Sequence, residues 1–529
     1  MKNTNINNTY NTINHWNHFR FKLVLEGVVV GAFSGLSVVL YRFLIEEAGH
    51  LSKKIYLIQL EKNWLIPIWL VILACLGYFV GTLVKKEPMI GGSGIPQVEG
   101  VLLRHFSMNW WKILLGKFIG GVLSIGAGLS LGREGPSIQI GAAIGQGYCK
   151  LFKKMKLEEK FMITSGASAG LAAAFNAPLA GVMFSLEEIH KNFSPVVLTS
   201  AMAASITADV VSKNFFGLKP VFNLHNISPM PLRHYPFLIL LGIIMGILGT
   251  LFNYSLLKTQ DLYSMQKWLP AQMRPVIPFI AAGLLGLMLP EVLGGGHELI
   301  TSMVHSEFAV NMLVVILIVK FLFTMASYSS GAPGGIFLPM LVLGALTGNI
   351  FGHILAGLFN LNTAYINNLI ILGMAGYFTA VVRAPITGSI LITEMTGSFS
   401  HLLSVAVVAI AAYITADILG SKPIYESLLD RMIKKGSSKF EGDSKTKVII
   451  ETAVCIGSKL EGKMLKELKW PASCLLVAVK RGDKEIIPRG GTHIYAGDYL
   501  IALANEDEAA DIRAKLSEMA ENIPDDVYL

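Results

Sequence analysis

The chain has 529 residues, of which 53% are hydrophobic and only 15% charged, and its mean hydropathy is +0.54. Ordinary globular domains carry about a quarter charged residues, so this composition excludes a purely soluble protein, provided the apolar residues are grouped into spans. The formal net charge is +8, and its basic clusters (Lys53–Lys54, Lys85–Lys86, Lys150–Lys160 and Arg431–Lys435) flank apolar segments, the pattern of cytoplasmic loops rather than of nucleic-acid binding.

Met1–Phe19 is Asn-rich and polar, and residues 1–20 read as a tail without a cleavable signal pattern. Strongly apolar runs follow at Leu23–Leu44, Trp64–Val84, Trp110–Leu131, Phe161–Leu186, Pro195–Val211, Phe237–Leu257, Val276–Leu289, Met312–Met325, Ile336–Leu358, Leu369–Val382 and Leu402–Leu419. A straight spanning helix needs about 20 apolar residues. Several runs are shorter, and many contain Gly or Pro. Broken or tilted helices that line an internal cavity are therefore expected over residues 21–435. Residues 436–447 are rich in Gly, Ser and Lys and read as a linker. Beyond it, residues 448–529 have a soluble α/β pattern. Strands are expected at Val448–Ile450, Leu475–Lys480, Glu485–Pro488 and Tyr499–Ala504, and helices at Lys459–Leu468 and Asp507–Met519. Cys75, Cys149, Cys455 and Cys474 have neither metal-ligand nor disulfide-framework spacing.

The apolar part repeats itself. Ala177-Pro178-Leu179-Ala180-Gly181 returns as Ala384-Pro385-Ile386-Thr387-Gly388, with an acid at the same offset, Glu187 in one copy and Glu394 in the other. Pro136 with Gly141-Ala142 is echoed by Pro339 with Gly344-Ala345. Transporters are often built from two such halves with the site between them.

Three glycine- and proline-marked segments open into apolar helices: Gly92–Pro96, Gly132–Pro136 and Gly334–Pro339. An anion crossing a membrane must exchange its water shell for partners that also let it go. Backbone amides at helix N-termini offer partial charge of that strength. One such segment alone is more often a packing turn; three in one membrane chain favour an anion route. Ser93 adds a hydroxyl to the first, and the amides of Ile336 and Phe337 lie in the third. Glu134, in Gly132-Arg133-Glu134-Gly135-Pro136, is itself an anion that could occupy such a site and leave it when protonated. The plain structural reading is a helix-start glutamate paired with Arg133. Glu187 and Glu188 close an apolar helix before His190-Lys191-Asn192, which fits either a helix boundary or a proton relay. Tyr425 could donate its phenol to a buried anion or anchor a span at the interface.

Together, Gly92-Ser93-Gly94-Ile95-Pro96, Gly132-Arg133-Glu134-Gly135-Pro136, Gly335-Ile336-Phe337 with Pro339, and the late Tyr425 resemble, in order, the signature elements of the CLC family of chloride channels and chloride/proton exchangers. The resemblance covers about residues 20–435 and implies an all-α polytopic membrane protein with inverted repeats (the CLC fold), forming a homodimer with one pathway per subunit. It implies chloride ligation by Ser93, Tyr425 and the amides of Ile336 and Phe337, beside Gly132, Arg133 and Gly135. It makes Glu134 the gating proton acceptor and Glu188 the inner proton-transfer glutamate that channel members usually lack, with Lys117 and Glu187 in support. Two departures stand out: Gln97, where the family often has Glu, and His190-Lys191-Asn192 after the acid pair. Gly462, Leu465, Glu467-Leu468, Val477-Ala478-Val479, Arg481-Gly482, Ile487-Pro488, Gly490, Thr492 and Gly497-Asp498 resemble the TrkA-C (RCK C-terminal) domain, a small cytosolic α/β unit. Such a domain either takes a small-molecule ligand or only stabilises the dimer.

The reading is thus a chloride/proton antiporter of the plasma membrane, multi-pass, with its C-terminal domain in the cytoplasm. The alternative is a passive chloride channel. No metal-ligand set, nucleophile elbow or zincin motif suggests an enzyme, and no cofactor or nucleic-acid partner is expected.

Overall fold

The computed structural model describes residues 4–191, 193–218, 220–222, 227, 229–266, 268–305, 308–436, 447–471, 474–482, 484–505 and 508–521, with side chains from residue 21. Most of the expected linker, Asn192 and Asp507 lie outside the described residues. The chain divides into two compact units, Met1–Met432 and Ile433–Leu529.

The first unit is helical and built twice. One half runs α1 (Thr4–Glu61), α2 (Leu65–Lys86), α3 (Ile95–Leu102), α4 (Trp110–Gly126), α5 (Glu134–Leu151), α6 (Lys156–Phe175), α7 (Pro178–Phe184) and α8 (Pro195–Phe216). The other runs α9 (Tyr235–Met265), α10 (Val276–Met288), α11 (His297–His305), α12 (Val310–Ser329), α13 (Phe337–Phe359), α14 (Ile366–Val382), α15 (Pro385–Thr396) and α16 (Leu402–Ile418), followed by α17 (Ile424–Gly436). Neighbours repeat as well. α1 packs on α6 and α8 as α9 packs on α14 and α16, and α5 packs on α6 as α13 packs on α14. The mates α2 and α10, and α7 and α15, pack on each other, as elements beside a two-fold axis must. Near that axis Gly132 and Gly335 form an antiparallel bridge, each amide donating to the other's carbonyl at 2.7 Å.

Among the described residues, nine helices are long and apolar enough to cross a membrane. At 1.5 Å per residue the short helices α3, α7, α11 and α15 cannot do so. They end inside the protein, where irregular backbone is tolerated. α5 is buried along nearly its whole length, which explains its Gly, Ala and Ser content. A side chain on Gly141 would strike the Gly166 backbone, and one on Gly344 would strike Gly373, so each half brings its two central helices into backbone contact.

The apolar run Phe161–Leu186 breaks in two, as expected of runs that contain Gly and Pro. α6 ends at Phe175, Asn176 takes the left-handed conformation (φ 51°), and α7 starts at Pro178. Asn tolerates that conformation, and the proline removes an amide that a continuous helix would use. The second half breaks the same way at Arg383 (φ 70°) before Pro385. α1 runs in one piece from Thr4, so the polar residues 4–20 continue into the first apolar run as one helix.

The second unit has a four-stranded antiparallel sheet ordered β1 (Lys447–Ala453), β4 (Tyr499–Asn505), β2 (Cys474–Arg481), β3 (Lys484–Ile486). α18 (Ala509–Glu521) packs on β1 and β4, and Ile450, Ala502, Ala504, Ile512 and Leu516 form that core. The helix expected at Lys459–Leu468 is absent, apart from a single 3-10 turn at Leu465–Glu467. Its backbone instead pairs with the 490–494 segment. Gly462 N donates to Ile494 O, Ile494 N to Lys463 O and Leu465 N to Thr492 O, at 2.8–3.1 Å. Gly462 takes φ 74° to enter this pairing.

Asp498 organises the turn before β4. It is buried, accepts from Arg481 Nε and Nη2 at 2.8 and 2.7 Å, and accepts from the Tyr495 amide at 2.9 Å. Burial pushes its pKa up, but the Arg481 hydrogen bonds, the Tyr495 amide and the Arg481 charge together outweigh burial and hold the carboxyl below the usual range. Its contribution to stability is therefore present above the unfolded carboxyl pKa and is lost as pH falls through the lower folded value. Asp498→Asn should cost about 1–2 kcal/mol at neutral pH, a figure reduced because the Arg481 side chain is 39% exposed. Faster hydrogen exchange of β2 and β4 in the full chain is the check, and the gap should begin to narrow below about pH 4 and close only below the folded value.

Candidate functional site

The site assembles where the two halves meet. Arg133 and Ile336 are matched N-cap residues, so Glu134 opens α5 and Phe337 opens α13. First-turn amides have no partner within their own helix, so both helices direct free N–H groups towards the axis. Ser93 precedes α3, whose left-handed N-cap Gly94 has φ 95°. A Cβ on Gly135 would lie 2.7 Å from the Ser93 carbonyl oxygen, and one on Gly335 would lie 3.2 Å from the Gly135 amide nitrogen. Glycine thus lets three backbones converge. Phe337 packs in an aromatic box with Phe175, Phe184 and Phe378, at ring separations of 5.3, 5.9 and 4.8 Å. Phe184 also meets the Tyr425 ring edge-on at 6.3 Å, which brings Tyr425 to the same cluster.

The hydroxyls of Ser93 and Tyr425 are buried and have no hydrogen-bond partner among the described residues. Each is a donor in search of an acceptor, and the free amides of Ile336 and Phe337 add donors of partial charge. This donor set suits an anion. The Glu134 carboxylate is fully buried and lies beside its own amide and that of Leu338, in the first turns of α5 and α13. It is not paired with Arg133, the plain reading of the sequence. The Arg133 guanidinium bonds Glu46 Oε1 at 2.8 Å, and Glu46 is also held by Arg42. Any part Arg133 takes in anion binding rests with its backbone. Beside this turn lies a cavity of 390 Å³ whose lining includes Glu46, Arg133, Gly295, His297 and Leu338.

Lys117 has a clear structural task. It is fully buried, and its ammonium donates to Ile90 O at 2.9 Å and Gly92 O at 2.6 Å, bracing the Ser93 loop from behind. Sequence reasoning missed its mate. Lys320 is equally buried and donates to Val292 O and Gly294 O at 2.8 and 2.6 Å. The backbone matches too, with φ of 61° and 95° at Gly92 and Gly94 against 60° and 92° at Gly294 and Gly296. The near-equal offset of each lysine from its glycine turn was the available signal. Tyr328, whose hydroxyl reaches the Ser93 backbone, was also missed, and nothing in its local sequence marks it. Gln97 donates Nε2–H to Gly91 O at 2.7 Å, a bond that an ionised glutamate could not donate. Lys117→Met should leave the buried Ile90 carbonyl unsatisfied, at about 1–3 kcal/mol. A lower Tm of the purified protein and slower chloride flux are expected, and an unchanged Tm would remove the bracing role.

On the other side of the cluster, α7 ends in a π turn, Ser185–Ile189. It sends its two acids different ways. Glu188 is buried with Oε1 unpartnered, in electrostatic reach of Glu99, Lys191, Glu187 and Glu426. Glu187 is tied to Thr387 through its amide (2.8 Å) and hydroxyl (2.6 Å). Lys191 pairs with buried Glu99 at 2.7 Å, so the unusual residues after the acid pair supply a counter-charge beside Glu188.

A family model described as voltage gated chloride channel matches residues 76–417, and a TrkA-C domain model matches residues 449–517. The chain is 36% identical over 442 residues to the H(+)/Cl(-) exchange transporter ClcA of Citrobacter koseri, covering 80% of this chain and 92% of that protein. Among solved structures it resembles a slow cyanobacterial Cl-/H+ antiporter with a TM-score of 0.76 and 30% identity, over 78% of this chain and 99% of that one. A eukaryotic CLC transporter shares the fold, with a TM-score of 0.65 and 21% identity over 79% of this chain and 74% of that one. The chain therefore belongs to the CLC family of voltage gated chloride channels and carries a C-terminal TrkA-C domain.

Proposed function

We propose that this protein is a chloride/proton antiporter. One observation carries the reading: a fully buried carboxylate, Glu134, stands where the N-termini of α5 and α13 meet, among donors suited to chloride. Ionised, it competes with chloride for those donors; protonated, it has no charge to compete with. Chloride is held by the hydroxyls of Ser93 and Tyr425 and by the amides of Ile336 and Phe337. Gly132, the Arg133 amide and Gly135 shape the neighbouring turn. Glu188 passes protons between Glu134 and the cytoplasm. The names of the relatives, an exchange transporter and an antiporter, support exchange over passive conduction.

The chain acts as a homodimer in the plasma membrane, with the TrkA-C domain in the cytoplasm as a regulatory unit open to a small-molecule ligand. That domain is a separate compact unit, so a chain ending after Lys435 should still exchange chloride for protons.

The test is flux from proteoliposomes loaded with chloride and diluted into low chloride, recording chloride release and external pH together, with and without a potassium ionophore. Proton uptake driven uphill by the chloride gradient is the expected result. Chloride release with no linked proton movement would establish a channel instead.

A further inference from the structure

The matched helices α7 and α15 do more than pack on each other. Each begins at the proline of an Ala-Pro pair, and each leaves its first-turn amides without partners inside its own helix. The other half supplies the missing acceptor in both cases. Glu394 of the second half accepts from the amides of Leu179 and Ala180 at 3.2 and 2.7 Å. Glu187 of the first half accepts from the amide and hydroxyl of Thr387 at 2.8 and 2.6 Å. The two acids occupy the same offset in the repeat, so the caps are reciprocal.

The consequence lies one residue away. Glu187 sits inside the π turn Ser185–Ile189, a geometry that is rare and concentrated at functional sites. In that turn the side chains of residues 187 and 188 diverge. Anchoring one to Thr387 sets the rotation of the turn and so the direction of the other. Glu394 fixes the opposite end of the same short helix.

We infer that Thr387 and Glu394 are positioning residues for proton transfer, and that the crossed caps hold Glu188 in line. Glu187 then serves as an anchor rather than as a proton carrier. This rests on the exchange reading above. It adds that coupling is set by a contact between the two halves, away from the chloride ligands.

The experiment uses the full chain in proteoliposomes and records the ratio of proton to chloride movement. Thr387→Val removes the hydroxyl bond and keeps the amide bond. Thr387→Ser keeps both. Glu394→Gln weakens the opposite cap. In Thr387→Val and Glu394→Gln the ratio should fall about threefold or more, while chloride flux stays within about a factor of two. Thr387→Ser should restore the ratio. A wild-type ratio in both Thr387→Val and Glu394→Gln would overturn the proposal. So would a parallel fall of both fluxes, which a merely structural contact would produce. A wild-type chain that moves no protons at all would instead bring down the exchange reading on which the proposal stands.

Discussion

Glu134→Gln is expected to abolish proton movement while chloride continues to cross. The substitution keeps the size and most of the shape of the side chain, so the junction of α5 and α13 should not collapse. It removes the only thing the carboxyl contributes to proton transport, a group that can gain and lose a proton. Positioned acid–base groups contribute about 100-fold or more to proton transfer, so proton flux should fall by at least that factor. Chloride has different needs. Its proposed donors are the Ser93 and Tyr425 hydroxyls and the free amides that open α13, none of which the substitution touches. A neutral side chain also stops competing with chloride for those amides. Two measurements check this: proton uptake driven by a chloride gradient, and the pH dependence of chloride flux. In the wild type, acid should favour chloride flux by neutralising Glu134. In the variant that dependence should flatten. Uphill proton uptake persisting in Glu134→Gln would take this residue out of the path. Loss of both fluxes would make it a structural group of the helix junction.

Much of this site was legible in the sequence because the chemistry that builds it is local. A helix that must present free amides to an ion needs glycine before it and tolerates proline in its first turn, so Gly92–Pro96, Gly132–Pro136 and Gly334–Pro339 could be read directly. The repeat could be read for the same reason, since Ala-Pro restarts a helix wherever it stands. What escaped depends on contacts far apart in the chain. Lys320 braces a loop 26 residues away, as Lys117 does in the first half, and looks locally like a stray charge in an apolar span. Thr387 and Glu187 are 200 residues apart, and only the two-fold relation of the halves brings them together. The misplaced helix at Lys459–Leu468 has the opposite cause. Its residues suit a helix, but its backbone is taken up in bonds with the 490–494 segment instead.

Glu188→Gln should uncouple the protein from the other side. Glu188 is buried at the end of α7 with one carboxylate oxygen unpartnered, close to the Glu99–Lys191 pair and to Glu426. A buried acid with an unpartnered oxygen is costly to keep inside a membrane protein, and such acids mark ion or proton pathways. Glutamine fills the same space and cannot take up or release a proton. Chloride flux should be nearly retained, proton flux should fall about 100-fold, and the reversal potential should move to that of chloride alone. Glu187→Gln provides the contrast. That side chain is already committed to two donors on Thr387, so its replacement should lower the proton-to-chloride ratio only partly, as the loss of an anchor. If both substitutions abolished proton flux equally, the relay would belong to the pair. Proton flux surviving in Glu188→Gln would remove Glu188 from the path and leave it a helix-end acid beside Lys191.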